Sequence, residues 1–292
     1  MPTLNANGIR IAYEEFGDGA APPVLLIMGL GAQMVLWRED FCRLLAARGH
    51  RVIRFDNRDV GESSWLDALG VPDVMGAFAA AATQQPFAAP YQLRDMAADT
   101  AGLLDALAID AAHVVGTSMG GMIAQTMAIE APTRVRTLTS IMSTTGAPGL
   151  PPPRPEVAAV LITPPPSTRA AAIEHGVTVY RTIGSPGFPF DEAEVRHLAT
   201  VMYDRGFNPV GVARQLVAIL ASGDRTAALG RLRLPTLVVH GTQDPLVPFP
   251  AGQATAAAVP GAALLTIEGM GHDMPRPVWP RLVDAISALA AR

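Results

Sequence analysis

The chain contains no lysine: all 22 of its basic residues are arginine. Schiff-base chemistry through a lysine, whether for pyridoxal phosphate or an aldolase, is therefore excluded, and so is the lysine of a Walker A loop. A single cysteine, Cys42, rules out an internal disulfide framework and a cysteine-built zinc site. The six histidines (His50, His113, His175, His197, His240 and His272) include no His-x-x-x-His pair, so no metal is expected. Charged residues make up only 16% of the 292, and the net charge of −4 argues against nucleic acid as a partner, which calls for a clustered basic excess. Met1 to Arg10 lacks the apolar run of a signal peptide, and no stretch reaches the roughly 18 apolar residues of a membrane span. The expectation is a cytoplasmic protein that needs no cofactor, binds no membrane and acts on a small molecule.

What is present is a rhythm of short apolar runs and amphipathic segments. Residues 3–16 read as two strands turned at Asn7-Gly8, a favoured hairpin pair. Pro22-Pro23 opens Val24 to Met28, a continuous apolar run suited to a strand buried on both faces. A helix is expected at 38–48, a second buried strand from Arg51 to Asp56, and a helix at 91–108. His113 to Gly116 reads as a strand, 119–131 as a helix, and Val135 to Met142 as a strand. Strands and helices alternating in this way predict an α/β fold with a mostly parallel sheet flanked by helices. The rhythm breaks near residue 147. Two proline triplets, Pro151–Pro153 and Pro164–Pro166, exclude a central strand or a long helix there. Helices are expected at 169–183, 191–205 and 209–221 with no strand between them. The βα pattern resumes with a strand at Thr236 to His240, a helix near 250–258, a strand at Ala262 to Ile267 and a last helix at 277–290. This organisation predicts a core of residues 1–146 and 230–292 carrying a helical insertion at 147–229.

The chemistry centres on Gly116-Thr117-Ser118-Met119-Gly120, which fits the G-x-S-x-G nucleophile elbow. Its glycines are required because side chains two positions either side of the serine would collide as the helix folds back over the strand. Ser118 is thus the candidate nucleophile, and on such an elbow its partners follow in the order acid, then histidine. His272, in the loop Gly269 to Pro275 past the last strand, lies at the carboxyl edge of the sheet where ligands gather, and is the candidate base. His175 and His197 fall in the insertion, and His240 reads as a hydrogen-bonded core histidine. Asp244 is the only carboxylate in the loop Gly241 to Pro248 and is the candidate orienting acid, against the alternative that it merely caps its own Asp-Pro turn. Asp273 is too close in sequence to reach the far ring nitrogen and is expected at the solvent or the site mouth. For the oxyanion hole the candidates are the N–H groups of Met119 and of Leu30, in the loop Met28-Gly29-Leu30-Gly31.

Together with Asp56-Asn57-Arg58-Asp59-Val60-Gly61-Glu62-Ser63, Thr242-Gln243-Asp244-Pro245 and Gly271-His272, these motifs resemble the α/β-hydrolase superfamily over nearly the whole chain. The Met-Gly opening and the Asp-Asn-Arg-Asp loop are similar to a branch of small bacterial esterases that includes the aclacinomycin-type methylesterases. Met28-Gly29 stands where the superfamily usually has His-Gly. The resemblance implies a cap over residues 147–229, no cofactor, and ester hydrolysis through an acyl-enzyme. Nothing in that mechanism needs the Asp-Asn-Arg-Asp loop, which is expected to tie the core together.

The resulting expectation is a serine carboxylesterase for small to medium hydrophobic esters. A cofactor-free perhydrolase or haloperoxidase, or a lactone or thioester hydrolase, would share the same triad. Epoxide hydrolase and dehalogenase chemistry would want an aspartate at the place of Ser118, and a non-enzymatic binding module predicts a damaged triad. Within the insertion, Ala158, Ala159, Val160, Leu161, Ile162, Val201, Met202, Leu216, Ile219 and Leu220 are the candidate pocket and packing residues. Gly184 and Gly187 provide a place to bend, so the cap could move as a lid, against the alternative of a rigid cap that its prolines merely pin.

Overall fold

The computed structural model describes residues 1–163 and 166–292. Pro164 and Pro165 of the second proline triplet, and the side chains of the pocket candidates Leu161 and Ile162, lie outside the described residues. Eight strands form one sheet: β1 (Thr3–Ala6), β2 (Ile9–Phe16), β3 (Pro23–Ile27), β4 (Arg51–Phe55), β5 (Ala112–Thr117), β6 (Val135–Ile141), β7 (Thr236–Gly241) and β8 (Ala263–Ile267). Their order is β1-β2-β4-β3-β5-β6-β7-β8, antiparallel at β1/β2 and β2/β4 and parallel thereafter. The predicted hairpin turn uses positive φ at both Asn7 (49°) and Gly8 (79°), the backbone that favours this residue pair.

The continuous apolar runs are explained by burial on both faces. Along β3, Leu25 and Ile27 point into one layer with α3 (Leu93–Ala106) and α4 (Met119–Glu130). Val24 and Leu26 point into the other, with α1 (Glu39–Ala46) and α11 (Trp279–Ala290). The sheet is thus a middle layer between two helical ones, and its chain reversals put the carboxyl ends of β3, β5, β7 and β8 along one edge.

Between β6 and β7 the described residues form helices only: α5 (Pro155–Ile162), α6 (Arg169–Ile183), α7 (Glu192–Arg205), α8 (Pro209–Ala221) and α9 (Thr226–Leu229). The eight-residue α5 fits between the proline triplets because Pro155 sits in its first turn, where the missing N–H has no intrahelical acceptor to lose. One further helix, α2 (Val74–Ala82), is not signalled by periodicity: VMGAFAAAA is apolar all round. Its start is set by Asp73, whose carboxylate accepts the Gly76 N–H at 2.9 Å. The chain then continues through α10 (Phe249–Ala258) between the last two strands.

Candidate active site

Ser118 joins β5 directly to α4 with φ 54° and ψ −122°, a backbone that costs a non-glycine residue free energy and persists only when its surroundings enforce it. The surroundings do so from both sides. Its N–H donates to Ile141 O at 2.9 Å, and its carbonyl accepts Ser143 Oγ at 2.8 Å. A Cβ on Gly116 would lie 2.0 Å from Gly120 O, and one on Gly120 would lie 2.2 Å from Ile27 O. The glycine spacing is therefore a packing requirement of the turn.

Past β8, His272 presents Nδ1 to Asp244 Oδ2 at 2.7 Å, and both side chains are buried. Asp244 performs the turn-capping role as well, with its other oxygen: Oδ1 accepts the Leu246 and Val247 N–H groups at 2.9 and 2.8 Å. A carboxylate facing Nδ1 keeps the proton on that nitrogen and leaves Nε2 as an acceptor. Behind this pair, the Nε2 of fully buried His240 bonds Val247 O at 2.7 Å and lies 3.6 Å from Asp244 Oδ2. Burial lowers the His240 pKa, and its Nδ1 has no partner among the described residues. His175 lies on α6 and His197 is exposed on α7.

Asp273, expected at the solvent or the site mouth, is half-buried beside Ser185, whose hydroxyl donates to its carboxylate, and burial pushes its pKa up. Gly184 and Gly187, the expected place to bend, lie close against the His272 loop. A Cβ on Gly271 would lie 2.2 Å from Gly184 O, and one on Gly187 would lie 2.6 Å from the Gly269 Cα. These glycines permit close approach to the His272 loop.

The loop after β3 lies against the nucleophile, since a Cβ on Gly29 would sit 3.1 Å from the Ser118 Cβ. Gly31 (φ 64°) donates its N–H to Gln215 Oε1 at 2.9 Å. Among the described residues, the Leu30 and Met119 N–H groups have no protein acceptor. Met119 opens α4, where the first amides are unsatisfied by construction. Met28, in the unusual position, is held by Asn57, whose Nδ2 donates to its carbonyl at 3.0 Å.

The Asp-Asn-Arg-Asp loop reaches well beyond the core. Asp56 Oδ1 accepts the Met34 N–H at 2.7 Å, and its Oδ2 pairs with Arg205 of α7 at 2.8 Å. Arg58 pairs with Asp99 at 2.6 Å, and its carbonyl accepts Gln215 Nε2 at 2.7 Å. Asp59 is fully buried against fully buried Arg214 of α8 through bonds of 2.9 and 2.6 Å, with the Tyr91 hydroxyl at 2.7 Å. Arg205, Arg214 and Gln215 are the partners of these core loops that sequence reasoning passes over. For Arg214 and Gln215 the one signal is a polar pair on α8, a helix otherwise written in apolar residues; Arg205, on the charge-rich α7, has none. Of the candidate pocket residues, Ala159 is exposed and lines nothing; Val201, Met202, Leu216 and Leu220 are half-buried, and Ile219 packs on the core beside Leu93 and Ala218.

No cluster of three or more His, Cys, Asp or Glu capable of holding a metal occurs among the described residues. Nor is any described helix long and apolar enough to cross a membrane. A family model described as the alpha/beta hydrolase fold matches residues 22–275. The chain is 33% identical to a rhodomycin D methylesterase of Streptomyces sp. (strain C5), over 99% of this chain and 98% of that protein. It is 32% identical to a rhodomycin D methylesterase of Streptomyces peucetius, with the same coverage of each. Among solved structures, the enol-lactonase from Burkholderia xenovorans LB400 superposes with a TM-score of 0.77 at 20% identity, covering both chains completely.

Proposed function

Given that the chain belongs to the α/β-hydrolase family and is an ester-hydrolysing enzyme, we propose that it is a serine carboxylesterase working through Ser118, His272 and Asp244. The observation that carries the proposal is the 2.7 Å bond between His272 and Asp244, made at the same sheet edge as the strained Ser118 turn. In the proposed reaction, Ser118 Oγ attacks the ester carbonyl while His272 Nε2 takes its proton. The Asp244 carboxylate stabilises the imidazolium through Nδ1–H. The carbonyl oxygen, now an oxyanion, is bound by the N–H groups of Leu30 and Met119. Collapse expels the alcohol, which leaves with the proton from His272. Water then attacks the acyl-enzyme with His272 again as base, releasing the acid and restoring the serine.

The substrates are small to medium hydrophobic carboxylic esters. Full-length likeness to two methylesterases supports methyl esters among them. Residues 147–229 form the cap over a core of 1–146 and 230–292, and the half-buried apolar side chains of α7 and α8 fit such a substrate. A fluorophosphonate should label the folded protein rapidly, on Ser118 alone by peptide mapping, and block hydrolysis of p-nitrophenyl acetate. An intact protein that stays unlabelled and hydrolyses no activated ester would refute the reading.

A further inference from the structure

The end of α6 and the segment that follows it are bonded to the His272 loop at alternate residues. Ile183 O, the last carbonyl of α6, accepts the N–H of His272 itself at 2.8 Å. Ser185 Oγ accepts the Gly271 N–H at 2.8 Å and donates its own proton to Asp273 Oδ1. Gly187 N–H donates to Gly269 O at 2.9 Å. Four bonds from Ile183, Ser185 and Gly187 thus hold 269–273, and all three residues belong to the helical insertion. The core supplies other contacts to this loop, such as Thr242 Oγ1 accepting the Gly269 N–H at 3.1 Å, but none to the backbone of 271–272 among the described residues.

We propose that Ser185 is a positioning residue for hydrolysis, acting with Asp273 to hold His272 where it meets Asp244; this rests on His272 being the base. The physical case has two parts. Ser185 bridges Gly271 and Asp273, the two neighbours of His272, so its hydroxyl holds the backbone amide before the imidazole and the side-chain carboxylate after it. The negative end of the 15-residue α6 is also brought onto the His272 amide, a favourable field for the imidazolium that forms in the transition state. The ionisable groups facing this point are Asp244 and His240 from the β7 loop, Asp273, and Tyr180 of α6, whose hydroxyl pKa is raised by burial and by Asp273. A misplacement of about 1 Å in such a group can cost about a hundredfold in rate.

The test is Ser185→Ala with p-nitrophenyl acetate. The expected result is a kcat lower by about tenfold or more with KM little changed. The acidic limb of the kcat/KM profile should move to lower pH, because an imidazole less well seated on Asp244 holds its proton less tightly. Fluorophosphonate stoichiometry per folded molecule corrects for lost active fraction, which a purely structural role would change without moving the limb. Asp273→Ala should match Ser185→Ala, the double variant should cost little more than either, and Asp273→Asn, which keeps an acceptor for the hydroxyl, should lose less. Additive losses, or full kcat with an unmoved limb in folded Ser185→Ala, would overturn the proposal. His272→Ala is measured alongside. Activity retained there refutes the base assignment and this inference with it, whereas a dead His272→Ala beside a fully active Ser185→Ala refutes the positioning role alone.

Discussion

Replacing Arg214 by methionine removes the one guanidinium that, among the described residues, bonds the buried Asp59 carboxylate, while keeping helix propensity and most of the side-chain volume. Both members of the pair are fully buried, and two bonds of 2.9 and 2.6 Å join them. The orphaned carboxylate retains the Tyr91 hydroxyl at 2.7 Å and the Leu66 N–H at 2.8 Å, neither of which carries charge. Breaking a buried pair from one side costs about 3–5 kcal/mol. Unfolding entropy of about 2.1 cal/mol/K per residue gives about 0.6 kcal/mol/K for this chain, so Tm should fall by about 5–8 °C. Burial by itself would raise the Asp59 pKa, but Arg214, the Leu66 N–H and the Tyr91 hydroxyl outweigh it, and the net direction is down. A carboxyl lowered in the folded state contributes stability above its unfolded value of about 3.9 and loses it as pH falls through the lower folded value. The wild type should therefore lose stability over that acidic window, and Arg214→Met, already without the guanidinium, should lose less of it. Urea and thermal unfolding followed by circular dichroism read both effects. Removing the charge as well, in Asp59→Asn/Arg214→Met, should recover part of the loss. A cost under about 1 kcal/mol, or a double variant as costly as the two singles added, would refute the reasoning.

Three further outcomes are expected. Ser118→Ala and His272→Ala should each lower kcat by several orders of magnitude with the fold intact by circular dichroism, the double variant by little more, and Asp244→Asn should also be severe; near-full activity in Asp244→Asn with a dead Asp273→Asn would reassign the acid. Along a p-nitrophenyl ester series, activity should peak at short or medium acyl chains, and a steady rise beyond about ten carbons would mark a lipase instead. Burial pushes the Cys42 thiol up to about 12, so the native protein should not react with a thiol-specific disulfide reagent at pH 8 and should yield one equivalent in denaturant; one equivalent released from the native state within minutes would contradict the packing around α1.

What is legible in the sequence is what short-range physics specifies. The glycines flanking Ser118 are forced by a turn only a few residues long, and a strand such as β3 announces itself because burial on both faces leaves a continuous apolar run. Asp244 and His272 are readable as a pair because each is set in a loop at the carboxyl end of its strand. The α2 helix is not readable, since VMGAFAAAA has no polar face to reveal a period. Arg214 and Gln215 are hidden for a different reason. Their partners Asp59 and Arg58 lie 155 and 157 residues away, so neither local pattern nor charge spacing connects them. Ser185 is hidden in the same way, 88 residues from Asp273, inside a Gly-Pro segment whose composition suggests a bend.

The attachments made by α6 and α8 bear on how such an enzyme can be rebuilt. Gln215 holds the Gly31 amide beside Leu30, Arg214 neutralises Asp59, and the end of α6 is bonded to His272. On the proposed function, substrate choice and turnover are consequently not separable modules in this chain. Grafting the 147–229 segment of another hydrolase would import new walls but strip three core loops of their partners, and a chimera with every triad residue in place would still be slow until those polar anchors were restored. Diversification has its freedom at the half-buried apolar positions between the anchors, such as Leu216 and Leu220, where side-chain size can change without touching the loops that hold the chemistry.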